Sequence, residues 1–396
     1  MILPDYVLAP MRRLTDAGYE VYCVGGCVRD ALLGRPVHDY DLTTSALPEQ
    51  VHDVFRDAQI IDTGIKHGTV TLIIDHRPLE ITTFRTESAY RDHRHPDHVA
   101  FARTLKDDCA RRDFTINALA YHPDTGITDH FHGLDDLKAG IIRSVNDPSE
   151  RFNEDALRIL RAVRFAAQLG FRIEEKTAEA VLAKKDDLRY VSAERIEAEL
   201  ERLLTGQYAA SVLDPYRSLM EVILPQLKND TAWENTVSCI DRSERTFPVR
   251  LAVLLNHTET DQRTLDDLKV SGAVRDTVLV LQKYRSLPLE TKIDVQKAMY
   301  LLKDRFSDYL AYRTAADCYE KKDELERIAR EIRENGDCVS LTQLAVNGSD
   351  LVKEGLRGKE ISVMLDHLIN AVMEERCKNT RESLLEEVRK SADQGA

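Results

Sequence analysis

The chain has 396 residues, 43% of them hydrophobic and 31% charged, with a formal net charge of −13. That length suits two to four domains with sizeable cores, and the composition is that of an ordinary soluble globular protein. No run approaches the ~18 apolar residues that span a membrane, and the acidic balance argues against binding nucleic acid through a uniformly basic surface.

The seven cysteines are odd in number and scattered, with no CxxC pair. This argues against a disulfide framework or a zinc site and fits a reducing, cytoplasmic setting. Cys23 and Cys27 flank a glycine pair and read as small packing residues. The opening MILPDYVLAPMRRL lacks the basic-then-apolar layout of a signal peptide. Residues 1–150 carry 16 Lys and Arg against 24 Asp and Glu. An RNA partner would therefore be met by local charge, since screening confines surface fields to roughly 8–10 Å.

Up to about residue 145, short β-rich runs alternate with turns. Strands are predicted at VYCV (21–24), DYDLTT (39–44), TVTLII (69–74) and LEITTF (79–84). Helical patterns lie between some of them, at ALLG after Gly26 and at PEQVHDVF (48–55). From about Glu150 the β signal fades and apolar residues recur at helical spacing, as in LRILRAVRFAAQLGF (157–171) and IEAELERLL (196–204). Ser192 reads as the N-cap of the latter. Breaks are expected at Thr205-Gly206, at 257–264 and at Asn347-Gly348-Ser349. The expectation is an α+β head followed by an all-helical remainder, without solenoid repeats or low-complexity tracts.

The first chemical feature is VGGCVRDALLG (24–34), followed by HDYDLTT (38–44). Residues two apart on an extended strand face the same side. Asp39 and Asp41 would thus present two carboxylates to one point, which suits Mg²⁺, a hard cation held by carboxylates and substrate phosphates. A DxD pair alone is common by chance, and its neighbours sharpen it. Gly25-Gly26 would let backbone N–H groups approach a triphosphate at the start of a helix, and Arg29 would add a charge-assisted contact. The bland alternative is a tight strand-to-helix turn with no ligand. The pattern is neither GxGxxG nor GxxxxGK[ST], so dinucleotide and P-loop readings fail. Glu80 is a candidate third carboxylate, equally readable as a solvated glutamate, and stays outside the expected site.

RRDFTINALAY (111–121) puts two arginines and an aspartate ahead of a helix-like run. Arg112 would hold phosphate, Asp113 would reach a ribose or cap the helix, and Asn117 would bond to either. Its alternative is a capped helix with solvated arginines. In ERFNEDALRILRAVRF (150–165), Asp155, Arg158, Arg161 and Arg164 are spaced by three. On one α-helix that stripe slips about 60° per step. Asp155 and Arg158 would then form a compact pair, with Arg161 and Arg164 serving another part of the ligand. The competing account is surface ion pairing, for instance of Glu154 with Arg158. Cytosine and adenine both offer an amino donor beside a ring-nitrogen acceptor, which a carboxylate and a guanidinium match. Guanine and uracil put a carbonyl where the amino group would be, a buried mismatch costing roughly 1–3 kcal/mol. One Asp–Arg pair would therefore admit C and A without a template.

In this order the motifs resemble the class II tRNA nucleotidyltransferases, the CCA-adding enzymes of bacteria and eukaryotes, with bacillus-type members the nearest pattern. The matching stretches are VGGCVRDALLGRPVHDYDLTT, TGIKHGTVTL, ITTFRTESAY, RRDFTINALAY, RFNEDALRILRAVRFAAQLGF and VSAERIEAELERLL. LAVNGSDL (344–351) is similar to a turn near the C-terminus of bacillus-type members. The resemblance implies a polymerase-β-like head, a mixed sheet with helices, over 1–145. A helical neck (146–206), body (207–300) and tail (301–396) would follow, the neck reading the base and the tail binding tRNA. It implies Asp39 and Asp41 as catalytic Mg²⁺ ligands. Gly26, Arg29 and Arg112 would contact the nucleotide, Asp155 and Arg158 would read its base, and Arg161 and Arg164 would help. The partners would be the tRNA 3′ end, CTP and ATP, with no membrane; a homodimer is left open.

Within such a family some members add only CC, only A, or a poly(A) tail. CC-only members lack a mobile loop that residues 86–98 supply here, and TGIKHGTV differs from the poly(A) polymerase signature, which leaves A-addition as the alternative. The run 91–98 is richer in histidine than the family pattern, with His93, His95 and His98, but its polarity and Pro96 argue against a metal site. GAVRD (272–276) lacks the glycine pair and reads as a coincidence on a helix. A nucleotide-sensing module without transferase activity would have less need of two metal-binding carboxylates.

Overall fold

The computed structural model describes residues 1–87, 99–317 and 321–394. The histidine-rich run 91–98, and all but the first two residues of the loop expected over 86–98, lie outside the described residues. The chain divides into two compact units, Met1–Asn229 with Asp267–Lys269, and Asp230–Asp266 with Val270–Ala396.

The first unit opens with α1 (Asp5–Asp16), which buries Val7, Met11 and Leu14 at helical spacing. There follow β1 (Val21–Val24), α2 (Gly26–Leu32), β2 (Asp41–Thr44), α3 (Pro48–Val54), β3 (Gln59–Gly64), β4 (Thr69–Ile74) and β5 (Arg77–Thr83). Next come β6 (Arg85–Glu87), β7 (Val99–Phe101), α4 (Leu105–Ala110), β8 (Leu119–His122), β9 (Gly126–Asp129) and α5 (Gly133–Ala139). Seven strands form one mixed sheet in the order β3-β4-β5-β2-β1-β8-β9. β2 runs parallel to β5, and β1 antiparallel to both its neighbours. β6 and β7 pair as a separate antiparallel ribbon. Alternation explains the sheet's inner face: Val70 and Leu72 on β4, and Leu79 and Ile81 on β5, are all buried.

The helix-like run expected in RRDFTINALAY is instead a single 3₁₀ turn, Thr115–Asn117, followed by strand β8. Ala and Leu favour helices in isolation. Here pairing of β8 with β1, Cys23 to Tyr121 and Val24 to Ala120, overrides that preference and buries Leu119 and Ala120. Cys23 and Cys27 are buried, as packing residues should be.

A short parallel pair of β10 (Ile141–Ile142) with β11 (Arg172–Ile173) brackets the first helices that follow the sheet. These are α6 (Pro148–Glu154) and α7 (Leu157–Leu169); α8 (Glu175–Lys184), α9 (Ala193–Leu204), α10 (Ala209–Leu213) and α11 (Arg217–Ile223) come after β11. Asp147 caps α6 by accepting from Ser149 N and Glu150 N, with Pro148 at the first helical position. α7 is buried on most of its circumference and ends at Gly170, φ +72°. α9 starts after Ser192, which occupies the N-cap position without a side-chain cap bond.

In the described residues from Trp233 onward there are only helices and their connections: α12 (Trp233–Arg242), α13 (Phe247–Leu254), α14 (Gln262–Asp267), α15 (Gly272–Lys283), α16 (Lys292–Leu302) and α17 (Phe306–Ala316), then α18 (Lys322–Glu334), α19 (Gly348–Lys353), α20 (Lys359–Met373) and α21 (Arg381–Gln394). α13 is apolar almost all round and packs against α12, α15 and α17. Leu351, Leu368, Ile369, Leu384 and Val388 form a separate core near the C-terminal end. GAVRD begins α15, as an incidental match on a helix would. Asn347 caps α19 in a reciprocal box with Asp350. Among the described residues no helix is long and apolar enough to cross a membrane.

Candidate active site

β1 ends at Val24 and the chain turns sharply at Gly25, φ +76° and ψ −134°, into α2. An L side chain rarely adopts that conformation, and a Cβ at Gly25 would lie 3.2 Å from Arg112 Nη1. Gly25→Ala is expected to cost about 1–3 kcal/mol of stability. Thermal melts of the two proteins check this.

Across the turn, Asp41 opens β2, in register with Val24 on β1 and with Glu80 on β5. Asp39 precedes the strand rather than lying in it. The strand is thus shorter than DYDLTT suggested, and both aspartates line the same cleft. Asp41 keeps solvent access at the start of β2, but the protein around it strips part of its hydration, and this, then the negative charges of Glu80 and Asp39, push its carboxyl above its ordinary value against the pull of Arg112. A carboxylate crowded by others is one a cation would relieve. Among the described residues no three or more His, Cys, Asp or Glu side chains form a ready-made metal cage. Two carboxylates are a partial, all-oxygen donor set of the kind that phosphate oxygens and water complete around Mg²⁺.

The cleft encloses about 640 Å³ and is lined by Gly26, Arg29, Asp39, Asp41, Arg112, Arg161 and Arg164, together with Asp113, Asn117 and Phe165. Arg29 Nη1 donates to Asn117 Oδ1 at 2.7 Å, and its Nε and Nη2 donate to Asp30 at 3.0 and 2.9 Å. Phe165 gathers three guanidinium groups around its ring, with Arg164 at 3.5 Å, Arg29 at 5.0 Å and Arg161 at 5.3 Å from the centroid. Arg29 and Arg112 bring positive charge to the cleft that α2, a helix of only seven residues, opens on.

Asp113 links the sheet to the helices. Its Oδ2 accepts from Arg161 Nη2 and Nε at 2.6 and 2.9 Å, and its Oδ1 from Asn117 Nδ2 at 3.0 Å. Burial works to raise the Asp113 carboxyl, but Arg161 and the Asn117 bond hold it well below the usual carboxylate range. Glu199 on α9, 4% exposed, accepts from Arg164 Nε at 2.7 Å and from Arg161 Nη1 at 3.3 Å. Burial brings the Arg164 guanidinium down to about 10 even with Glu199 beside it.

Two expected site residues do not line this cleft. Asp155 and Arg158 were expected to pair along one helix, but the helix is interrupted. Asp155 is extended, φ −141° and ψ 103°, and closes α6, while its Oδ1 accepts from Leu157 N at 3.1 Å as α7 begins. Its Oδ2 accepts from Arg195 Nη2 at 2.8 Å. Arg158 donates to Glu154 at 2.6 Å and to the carbonyls of Arg151 and Arg111 at 3.1 and 2.9 Å. A local cap bond thus defeated the period-three argument, and the i,i+4 pairing of Glu154 with Arg158 is what forms.

Glu80, left outside the expected site, does not line the cleft and acts on it only through its charge beside Asp41; sequence reasoning missed Glu199 and Phe165. Glu199 had a legible signal, a carboxylate on the apolar stripe formed by Ile196, Leu200 and Leu203. Phe165 had none, because aromatic residues on a buried helix usually serve the core.

A mixed sheet carrying paired aspartates beside a glycine turn and facing arginines defines a nucleotidyltransferase. Residues 21–143 match the family described as poly A polymerase head domain. Residues 170–231 match the family described as "Probable RNA and SrmB- binding site of polymerase A", and 242–388 the family described as "tRNA nucleotidyltransferase domain 2 putative". The chain is 37% identical over 409 residues to a CCA-adding enzyme of Lactiplantibacillus plantarum, covering 95% of this chain and 94% of that one. It is 36% identical over 395 residues to the CCA-adding enzyme of Enterococcus faecalis, covering 97% and 95%. The crystal structure of the Bacillus stearothermophilus CCA-adding enzyme in complex with CTP is similar throughout, with a TM-score of 0.84, 31% identity and 100% of both chains covered. The chain belongs to the CCA-adding enzymes.

Proposed function

We propose that this cleft adds C, C and A to the 3′ end of tRNA from CTP and ATP, releasing pyrophosphate at each step. The convergence of Asp39 and Asp41 with Arg29 and Arg112 on one cleft carries the reading. In a family of divalent-metal-dependent transferases, Asp39 and Asp41 would hold Mg²⁺. Bound there, Mg²⁺ would make the tRNA 3′-hydroxyl a better nucleophile and offset charge on the departing pyrophosphate. Gly26, Arg29 and Arg112 bind the triphosphate and orient its α-phosphorus toward the 3′ end. Asp155 and Arg158 read the base by exchanging their present partners, Arg195 and Glu154, for its Watson–Crick edge, while Arg161 and Arg164 stiffen the wall of the cleft. The finer division into head (1–145), neck (146–206), body (207–300) and tail (301–396), and a cytoplasmic location, belong to the same reading.

The test uses purified protein and three tRNAs that end before the first C, before the second C and before the A, with CTP and ATP supplied singly and together. The expected result is CTP-dependent growth of the first two and ATP-dependent closure of the third. Failure to extend the shortest tRNA with CTP would leave A-addition as the activity.

A further inference from the structure

Asp108, on α4, is 0% exposed and carries a carboxylate that the proposed chemistry does not use. Its Oδ1 accepts from Arg111 Nη2 and Nε at 2.8 and 2.9 Å, and from Arg85 N at 3.4 Å. Its Oδ2 accepts from Arg112 Nη2 at 3.3 Å and from Thr43 Oγ1 at 3.2 Å. Thr43 lies on β2, two residues beyond Asp41, and Arg85 opens the β6–β7 ribbon. One buried group thus ties together the strand that Asp41 opens, the β6–β7 ribbon and an arginine of the cleft.

Burying a charge is costly unless it is paired. Burial works to raise the Asp108 carboxyl, but the neighbouring charges of Arg111 and Arg112 hold it below its usual value, so it stays ionised. Its attachment at Arg112 Nη2 has a directional consequence. Among the described residues Arg112 Nε is buried without a hydrogen-bond partner, while Nη1 is the atom that a side chain at Gly25 would crowd. The guanidinium is planar, so this contact and the close approach of Nη1 to Gly25 together restrict its orientation. The remaining donors are set by that anchor, on the side of the cleft where the glycine turn lies.

We propose that Asp108 is a positioning residue for nucleotide binding, fixing Arg112 against the β2 strand so that the triphosphate is presented to Asp39 and Asp41. This rests on the reading of Arg112 as a phosphate ligand, and it adds a residue that acts on the nucleotide only through Arg112.

The experiment is a double-mutant cycle of Asp108→Asn with Arg112→Ala, measuring KM and kcat for CTP and KM for a tRNA lacking its terminal triplet. Asp108→Asn is expected to raise KM for CTP by about tenfold, the loss of one charge-assisted anchor. KM for tRNA should stay unchanged, and the rise should vanish in the Arg112→Ala background. A rise of equal size in that background, or a parallel rise in KM for tRNA, would reduce Asp108 to a structural group and overturn the inference. A raised KM for CTP in Arg112→Ala with none in Asp108→Asn would also overturn it, leaving the phosphate role of Arg112 intact. An unchanged KM in Arg112→Ala would remove that role and the inference with it. If thermal melting shows that Asp108→Asn does not fold, Thr43→Val takes its place. It deletes one neutral donor and keeps the charge, so a rise of about twofold to threefold is expected, again absent beside Arg112→Ala. Persistence of that rise would count against the proposal.

Discussion

Asp41→Ala is expected to lower nucleotide transfer by at least about a thousandfold, the scale of losing a metal ligand that stabilises charge in the transition state. Folding should survive. Asp41 stands at the open start of β2, where Glu80 and Asp39 crowd it with like charge. Removing a carboxylate that its neighbours repel relieves the fold, so the thermal midpoint of Asp41→Asn should equal or exceed that of the parent. The same crowding sets a pH dependence. The Asp41 carboxyl lies above its ordinary value, and only its ionised form holds a cation. That form is lost as pH falls through the raised value. The acid limb of the rate profile should therefore lie above the carboxylate value of about 4 and move to lower pH as Mg²⁺ is increased, because the ion competes with the proton. Rates measured across pH at several Mg²⁺ concentrations, beside melting curves of both variants, decide the matter. Residual transfer by Asp41→Ala within tenfold of the parent would refute the metal role.

Much of the head could be read from sequence because its signals are local. TVTLII is a strand in the structure at 69–74, the residues where its alternation placed one. The glycine pair marked a turn that Gly25 makes with a backbone few other residues allow. The failures share another origin. Leu119–Tyr121 are strand because β1 lies beside them, and nothing within 111–121 encodes that neighbour. Asp39 and Asp41 were joined by a strand argument, although only Asp41 is in the strand. Arg161 and Arg164 reach the cleft, but the residues that hold them, Asp113 and Glu199, stand 48 and 35 positions away. Spacing rules see along one element; a buried ion-pair network is assembled across several.

The base-reading residues pose the sharper problem, because Asp155 and Arg158 are engaged elsewhere. Asp155→Ala is expected to reduce discrimination of CTP and ATP against UTP and GTP by about 10- to 100-fold, the equivalent of ~1–3 kcal/mol for one buried mismatch. KM for tRNA should change little. The present ion pair with Arg195 is compatible with this outcome. Asp155 is only partly buried, with 21% of its side chain exposed, and exchanging one partner for an amino group of the base costs less than uncovering a buried charge. Competition assays with all four nucleoside triphosphates on a tRNA lacking its terminal triplet measure the ratio directly. Unchanged nucleotide choice would mean that pairing with Arg195 and capping Leu157 are the whole role of Asp155. The search for the reader would then pass to Asp113 and Arg161, a carboxylate and a guanidinium that already line the cleft and are joined at 2.6 Å. Asp113→Asn would distinguish the two cases. If Asp155 reads the base, Asp113→Asn should loosen Arg161 and lower affinity for both CTP and ATP; if Asp113 reads it, the same change should admit UTP.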